Sequence, residues 1–328
     1  MSSSTDKMHT TLFETQWQVR LRFGKMQSTI VTHMKLFWLF NFSDLKTIVI
    51  PSTVFGLTNA AAAEQFGFER APSGLTILRR ILPTLFWVWL NLLPFAINNQ
   101  RTPAAITEDS INKPWRPLPS RRVTPAQAKA WMLFFYTYAV CYSAFTGSAL
   151  TQSASLVVLG TWYNNCDGAD ASPIVRNAIN ALGYICFTSG ALEIAVGSKV
   201  ALLSCGALIK WLGIIAGIVF TTVHTMDMYD QEGDAARGRR TLPLVIGDNA
   251  ARWIICFFMY IWGVACPMFW HAPPLACAVS MMLAGTVGFR TLYWRSVADD
   301  KRTFIVWNVW MASVYTLPLT GHLQLLGN

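Results

Sequence analysis

Asp227, Asp230 and Asp234 recur within "DMYDQEGD", directly behind the apolar run "LGIIAGIVFTTVHTM". On a continuous helix the spacing i, i+3, i+7 puts all three carboxylates on one face. Three such groups repel one another unless a cation lies between them. Their oxygens suit Mg2+, which takes a few carboxylates together with the phosphate oxygens of a substrate. Gly233 lets the backbone turn or approach closely here. Arg237, Arg239 and Arg240 follow and supply positive charge suited to phosphate. A solvated basic loop explains the arginines alone, but not the regular acidic face.

A second stretch carries the same chemistry. In "NNQRTPAAITEDSINKPWRPLPSRRVT", residues 98–124, Glu108 and Asp109 are adjacent acids and Asn112 lies about one turn further on. Asn99 and Gln100 close the apolar run before them. Lys113, Arg116, Arg121 and Arg122 follow, and Pro114, Pro117 and Pro119 make the segment stiff and non-helical. Taken together, the two stretches read as halves of one site that holds a diphosphate through Mg2+ ions.

Those halves need elements to position them. The chain has 328 residues, of which 53% are hydrophobic and only 13% charged. A soluble domain carries about 25% charged residues, so a membrane protein is the expected class. About 20 apolar residues cross a bilayer as a helix, and nine such spans are expected. They are 45–64, 79–98, 126–145, 146–163, 178–197, 200–222, 251–271, 273–291 and 303–324. The expected fold is all-α, a polytopic membrane bundle of about nine transmembrane helices. Residues 1–42 form a cytosolic tail with a possible interfacial segment, "KLFWLF", and 43–328 form the transmembrane catalytic domain. Ser43 is the expected N-cap of the first span.

The net charge of +9 reads as basic cytosolic loops, not as a nucleic-acid surface. Lys and Arg concentrate in the tail and in the loops after spans two, six and eight. That puts these loops and the loop after span four in the cytosol. The seven cysteines show no CxxC spacing and mostly lie in apolar runs, so neither a zinc site nor a disulfide framework is expected. In the loop after span four, Asp167 and Asp170 read as turn residues, and Arg176 and Asn177 as candidate phosphate contacts. Glu193 and Lys210 lie within spans, where pairing with each other is the expected structural solution. His224 reads as a packed or hydrogen-bonded group.

Both charged motifs resemble those of the UbiA superfamily of intramembrane prenyltransferases. "DSINKPWRPLPSRRVT" is similar to the tail of that family's first motif, and "DMYDQEGDAARGRRTLPLVIGD" to its second. The resemblance implies Mg2+-dependent ionisation of an isoprenyl diphosphate. It implies Asp227, Asp230 and Asp234 as ligands of one ion, and Asp109 with Glu108, Gln100 or Asn99 near the other. Lys113, Arg116, Arg176, Arg237 and Arg240 are the implied diphosphate contacts. The first motif departs from the family pattern: Asp109 arrives two residues late and Ala105 stands where a middle Asp belongs. "SDLKTIVIPSTVFG" and "IVRNAINALGY" resemble a fungal-type branch that includes membrane-bound terpene cyclases.

Two fates of the allylic cation stay open. Attack by its own double bonds makes the protein a class I terpene cyclase acting on farnesyl or geranylgeranyl diphosphate in terpenoid secondary metabolism. Attack by a hydrophobic acceptor makes it a prenyltransferase. The resemblance favours the cyclase. A non-enzymatic transporter or scaffold fits poorly, because the acids gather at the membrane edge and not at span centres. An endomembrane such as the endoplasmic reticulum is the expected location.

Overall fold

A computed structural model describes residues 30–200 and 205–320. The basic residues Lys7, Arg20, Arg22 and Lys25 of the expected tail, residues 201–204 of span six and residues 321–324 of span nine lie outside the described residues. Every regular element among the described residues is helical. They are α1 (30–41), α2 (Ile50–Ala61), α3 (Gly74–Gln100), α4 (Pro103–Asn112), α5 (Pro125–Thr146), α6 (Leu150–Asn165) and α7 (Pro173–Val196). Next come α8 (Gly206–Thr222), α9 (Gln231–Arg237), α10 (Leu242–Ile246), α11 (Asp248–Phe269), α12 (Pro274–Tyr293), α13 (Val297–Tyr315) and α14 (Leu317–Thr320).

Five of these segments are long and apolar enough to cross a membrane: α3, α7, Gly206–Met226, α11 and α12. The other four expected spans are helical as well. α2 and α6 are shorter, at 12 and 16 residues, while α5 and α13 carry more polar sequence.

Local chemistry sets the boundaries. Thr102 caps α4 by accepting from the backbone of Ala105, and Pro103 occupies the first turn, where a missing N–H costs nothing. Thr124 and Gln127 form a capping box at the start of α5. Gly147, at φ +71°, ends α5 and allows the short turn into α6. Leu45–Val49 form a π-helical turn leading into α2. Pro51 lacks the N–H that would bond Thr47, so the ladder widens there. Ser43 lies in a 3-10 turn, Phe42–Asp44, and caps no helix.

α7 is the central helix and packs against α2, α3, α6 and α8. The main core runs through Trp87, Phe187, Trp211, Ile215 and Trp307. Close approach of α3 and α7 requires Gly190, where any Cβ would collide with the Trp87 indole. That indole donates to the Ser143 hydroxyl (2.8 Å), which is 2.7 Å from Ser153 Oγ, so α3, α5 and α6 share one buried polar contact. α1 packs Leu36 and Phe40 into a second apolar cluster with Leu93, Ile97 and Met132. "KLFWLF" therefore sits half in this cluster, with Trp38 outside.

The intramembrane acid Glu193 does not pair with Lys210. It accepts from the backbone of Ala149 (2.7 Å) and from Gln152 Nε2 (2.9 Å), while Lys210 is exposed. Ala149 is the N-cap of α6, where free N–H groups and the positive helix end favour a carboxylate. All seven cysteines are free thiols.

Candidate active site

The two charged stretches meet at one end of the bundle. α4 folds back from the end of α3 and packs against α9. Gly233 makes this possible. A Cβ there would overlap the Asn112 side chain, which reaches past it to donate to the Asp230 carbonyl (3.1 Å). The first stretch is therefore partly helical: α4 occupies Pro103–Asn112, and only the proline-rich run after it is irregular.

The three acids of the second stretch do not share one helix face. Val223–Met226 is a 3-10 turn, residues 227–230 form a turn, and α9 begins at Gln231. The chain must reverse at the bundle's end, and the turn separates the carboxylates. Each meets a different cation. Asp227 Oδ1 accepts from Arg176 Nη2 (2.7 Å), Asp230 Oδ2 from Lys113 Nζ (2.7 Å) and Asp234 Oδ1 from Arg239 Nη1 (3.3 Å). Asp109 repeats the pattern, its Oδ1 held by Arg116 at 2.8 Å. In all four the second carboxylate oxygen is buried and has no partner among the described residues.

Behind this row lies a clamp. Arg239 donates Nε to Asp170 (2.9 Å), Nη1 to Glu108 (2.9 Å) and Nη2 to Asn99 Oδ1 (3.2 Å). Arg237 joins the same acids, at 3.0 Å to Glu108 and 3.2 Å to Asp170. α4, the loop before α7 and α9 are thus tied by two arginines and two carboxylates. Asp170 is a partner in this clamp and not merely a turn residue; Asp167, at φ +54°, does hold the turn before it.

Several expected roles change. Glu108 has both oxygens engaged by arginines, whereas each of the four aspartates has only one of its oxygens in an ion pair. Gln100 turns the other way and donates to the Phe40 carbonyl of α1 (3.0 Å), because one residue along a helix rotates the side chain by about 100° from Asn99. Arg240 is exposed and has no ion pair among the described residues, whereas Arg239 lines the site. Arg237 serves the clamp. Asn177 donates to the Phe220 carbonyl (3.0 Å) and does not line the site. His224 is packed against the Ala251 carbonyl at 3.3 Å.

A cavity of about 1100 Å³, counting its open mouth, descends from these groups into the bundle. Its upper wall is charged: Asp44, Glu108, Lys113, Arg116, Arg176, Asp227, Asp230 and Arg239. Asp109 and Asp234 sit one layer behind, held through Arg116 and Arg239. The lower wall is apolar, formed by Leu92, Phe95, Leu156, Leu159, Ile179 and Phe187. Arg176, at the join, contacts the Tyr163 hydroxyl as well as Asp227.

The electrostatics reflect burial against compensation. Burial pushes the Asp234 carboxyl up to about 7, with Asp227 and Glu108 adding to the rise and Arg176 and Arg239 opposing it. Burial likewise raises Asp109, against Arg116 and Lys113. Burial also works on Glu108, but Arg239, Arg237 and Lys113 together hold it below its ordinary value. Asp44 is raised by burial against Arg116, Lys113 and Lys46.

Sequence reasoning missed Asp44 and Asp170 as site groups, and of the three arginines after Asp234 it named Arg237 and Arg240, not Arg239, as diphosphate contacts. Charge balance was the available signal for Asp170. Two arginines this deeply buried need more than one negative charge beside them, and Glu108 alone supplies one.

The description of the UbiA prenyltransferase family matches residues 51–314. The chain belongs to this family. Among its relatives is fumagillin beta-trans-bergamotene synthase af520 of Aspergillus fumigatus, 31% identical over 93% of this chain and 97% of that protein. The diterpene cyclase eriG of Hericium erinaceus is 27% identical over 84% and 85%. The polyprenyl transferase eriF of the same fungus is 28% identical over 70% and 74%. A solved UbiA homologue from Archaeoglobus fulgidus bound to GPP and Mg2+ superposes with TM-score 0.55 at 14% identity, over 84% of this chain and 99% of that one. As a UbiA member this chain is a membrane enzyme, of the class that holds terpene cyclases and prenyltransferases.

The donor chemistry of the site fits Mg2+. Among the described residues no three of His, Cys, Asp and Glu enclose an ion by themselves. Yet Asp227 and Asp230 each bring a buried, unpartnered oxygen to the cavity wall. Mg2+ is commonly held by one or two carboxylates, the rest of its shell coming from water and substrate phosphate.

Proposed function

We propose that this chain ionises farnesyl or geranylgeranyl diphosphate with the help of Mg2+ and cyclises the resulting cation inside the membrane. The observation that carries this reading is the row of four half-paired carboxylates above an apolar cavity. Asp227 and Asp230 hold the metal at the wall, with Asp109 and Asp234 as the further oxygen donors of the two loops. When bound, Mg2+ supplies positive charge to the diphosphate oxygens. Lys113, Arg116, Arg176 and Arg239 orient that diphosphate and offer N–H donors to it as the allylic C–O bond breaks and its electron pair leaves with the phosphate. Leu92, Leu156, Leu159 and Phe187 keep water from the cation, so a carbon–carbon double bond of the same chain attacks it. Loss of a proton to the departed diphosphate completes a cyclic hydrocarbon.

Cyclisation is favoured over transfer by the bergamotene synthase and the diterpene cyclase, which align over 93% and 84% of this chain against 70% for the polyprenyl transferase. In the proposed arrangement α2, α5, α6 and α13 join the five apolar helices to make nine spans. Residues 1–42 and the site face the cytosol from an endomembrane, and 43–328 form the catalytic domain.

The test is to incubate membranes containing the protein with either diphosphate and Mg2+, without acceptor. Cyclic hydrocarbon in the extract is the expected result. Turnover only after a phenolic acceptor is added would replace this reading with prenyl transfer. No diphosphate release under any condition would remove both.

A further inference from the structure

Glycines inside helices weaken them, because they add backbone freedom to the unfolded chain and bring no side chain to pack. Packing explains most of those near the cavity. A Cβ at Gly190 of α7 would strike Trp87, and one at Gly160 of α6 would lie 2.6 Å from the Tyr136 hydroxyl. Gly183, in the middle of α7, differs. A Cβ added there meets nothing within 4 Å, and the residue lines the cavity. The fold gains no close contact from this glycine. What it leaves open is cavity space.

Its depth is informative. α7 lines the cavity along one stripe: Arg176, Ile179, Asn180, Gly183, Tyr184 and Phe187. Arg176 marks the charged end through its bond to Asp227. Gly183 is seven residues further down, about 10 Å at the rise of an α-helix. It faces the part of the cavity walled by Leu156 and Phe187, with Asn180 and Tyr184 beside it on the same helix.

We propose that Gly183 sets the length of the isoprenoid chain that the cavity admits. The volume its missing side chain would fill is the volume taken by the substrate's distal isoprene units. A side chain here obstructs a longer diphosphate and spares a shorter one whose tail ends above it. The proposal rests on the reading of this cavity as an isoprenyl diphosphate site, and the experiment separates the two.

The full chain in detergent is given geranyl, farnesyl or geranylgeranyl diphosphate with Mg2+, and diphosphate release is followed as kcat/KM for each. Gly183→Leu is expected to shift the ratio of longer to next-shorter substrate towards the shorter by about tenfold or more. Gly183→Ala shifts it the same way by less. Gly213 of α8 is the control: it is exposed, its added Cβ also meets nothing, and it lies off the cavity. Both alanine variants raise the melting temperature, but only Gly183→Ala moves the ratio. If Gly183→Leu does not fold, Gly183→Ala against Gly213→Ala decides. Unchanged ratios in folded Gly183 variants of an active enzyme overturn the length assignment alone. Failure of the wild type to release diphosphate from any of the three overturns the cavity reading beneath it.

Discussion

Replacing Glu108 by Gln separates two roles that the sequence could not. If Glu108 is a clamp, its loss weakens the fold first. Its carboxylate bridges α4 to Arg237 (3.0 Å) and Arg239 (2.9 Å), and all three side chains are at least 93% buried. Gln offers one acceptor and turns an N–H2 group towards a guanidinium. Breaking a buried pair costs about 3–5 kcal/mol. Both arginines keep Asp170, and Arg239 also keeps Asp234. About 2–3 kcal/mol is therefore the reasoned cost, or roughly 3–4 °C of melting temperature in a chain of this size. The Glu108 carboxyl is held below its ordinary value in the fold. Its stabilisation is thus fully present above the unfolded pKa of about 4.3 and is lost as the pH falls through the lower folded value. The gap in melting temperature between wild type and Glu108→Gln should be full near neutrality and close in acid. The assay is thermal unfolding in detergent across pH, with diphosphate release measured below the transition. An unchanged melting temperature with turnover lost by about 10²-fold or more would refute the clamp and return Glu108 to the metal.

Asp230→Asn should show the reverse profile. Its pair with Lys113 is partly exposed, so the stability cost is about 1 kcal/mol, while diphosphate release falls about 10²-fold or more. Chelation with EDTA should abolish diphosphate release; Mg2+ should restore it and Ca2+ should not, because the larger ion needs more oxygens than two wall carboxylates and a diphosphate provide. Gly190→Ala should destabilise by about 1–3 kcal/mol through collision with Trp87, read as a lowered melting temperature at unchanged substrate preference. Glu193→Gln should lower the melting temperature by weakening the cap on α6, without changing the Mg2+ requirement of turnover.

The sequence by itself determined the class of this protein. Long apolar runs admit only helices that bond their own backbones, so the expected spans emerged as helices in order. The spacing of Asp227, Asp230 and Asp234, with Asp109 and its basic neighbours, marked the charged end of the bundle. Gly233 was legible as a point of close approach, and the structure supplies the neighbour, Asn112.

Pairing was decided only by the tertiary structure. Periodicity assumes that a helix continues, and the reversal at 227–230 broke the single acidic face into three ion pairs with different partners. Arg239 lines the cavity while Arg240 does not, a choice fixed by one residue of rotation after Gly238. Asp170 looked like a turn residue because nothing near it in sequence needs a carboxylate; its arginines are 67 and 69 residues away. Glu193 lies far in sequence from the α6 terminus it caps. Charges in a low-dielectric interior select partners by distance in space. A linear sequence states which charges exist, and only the packed chain states which of them meet.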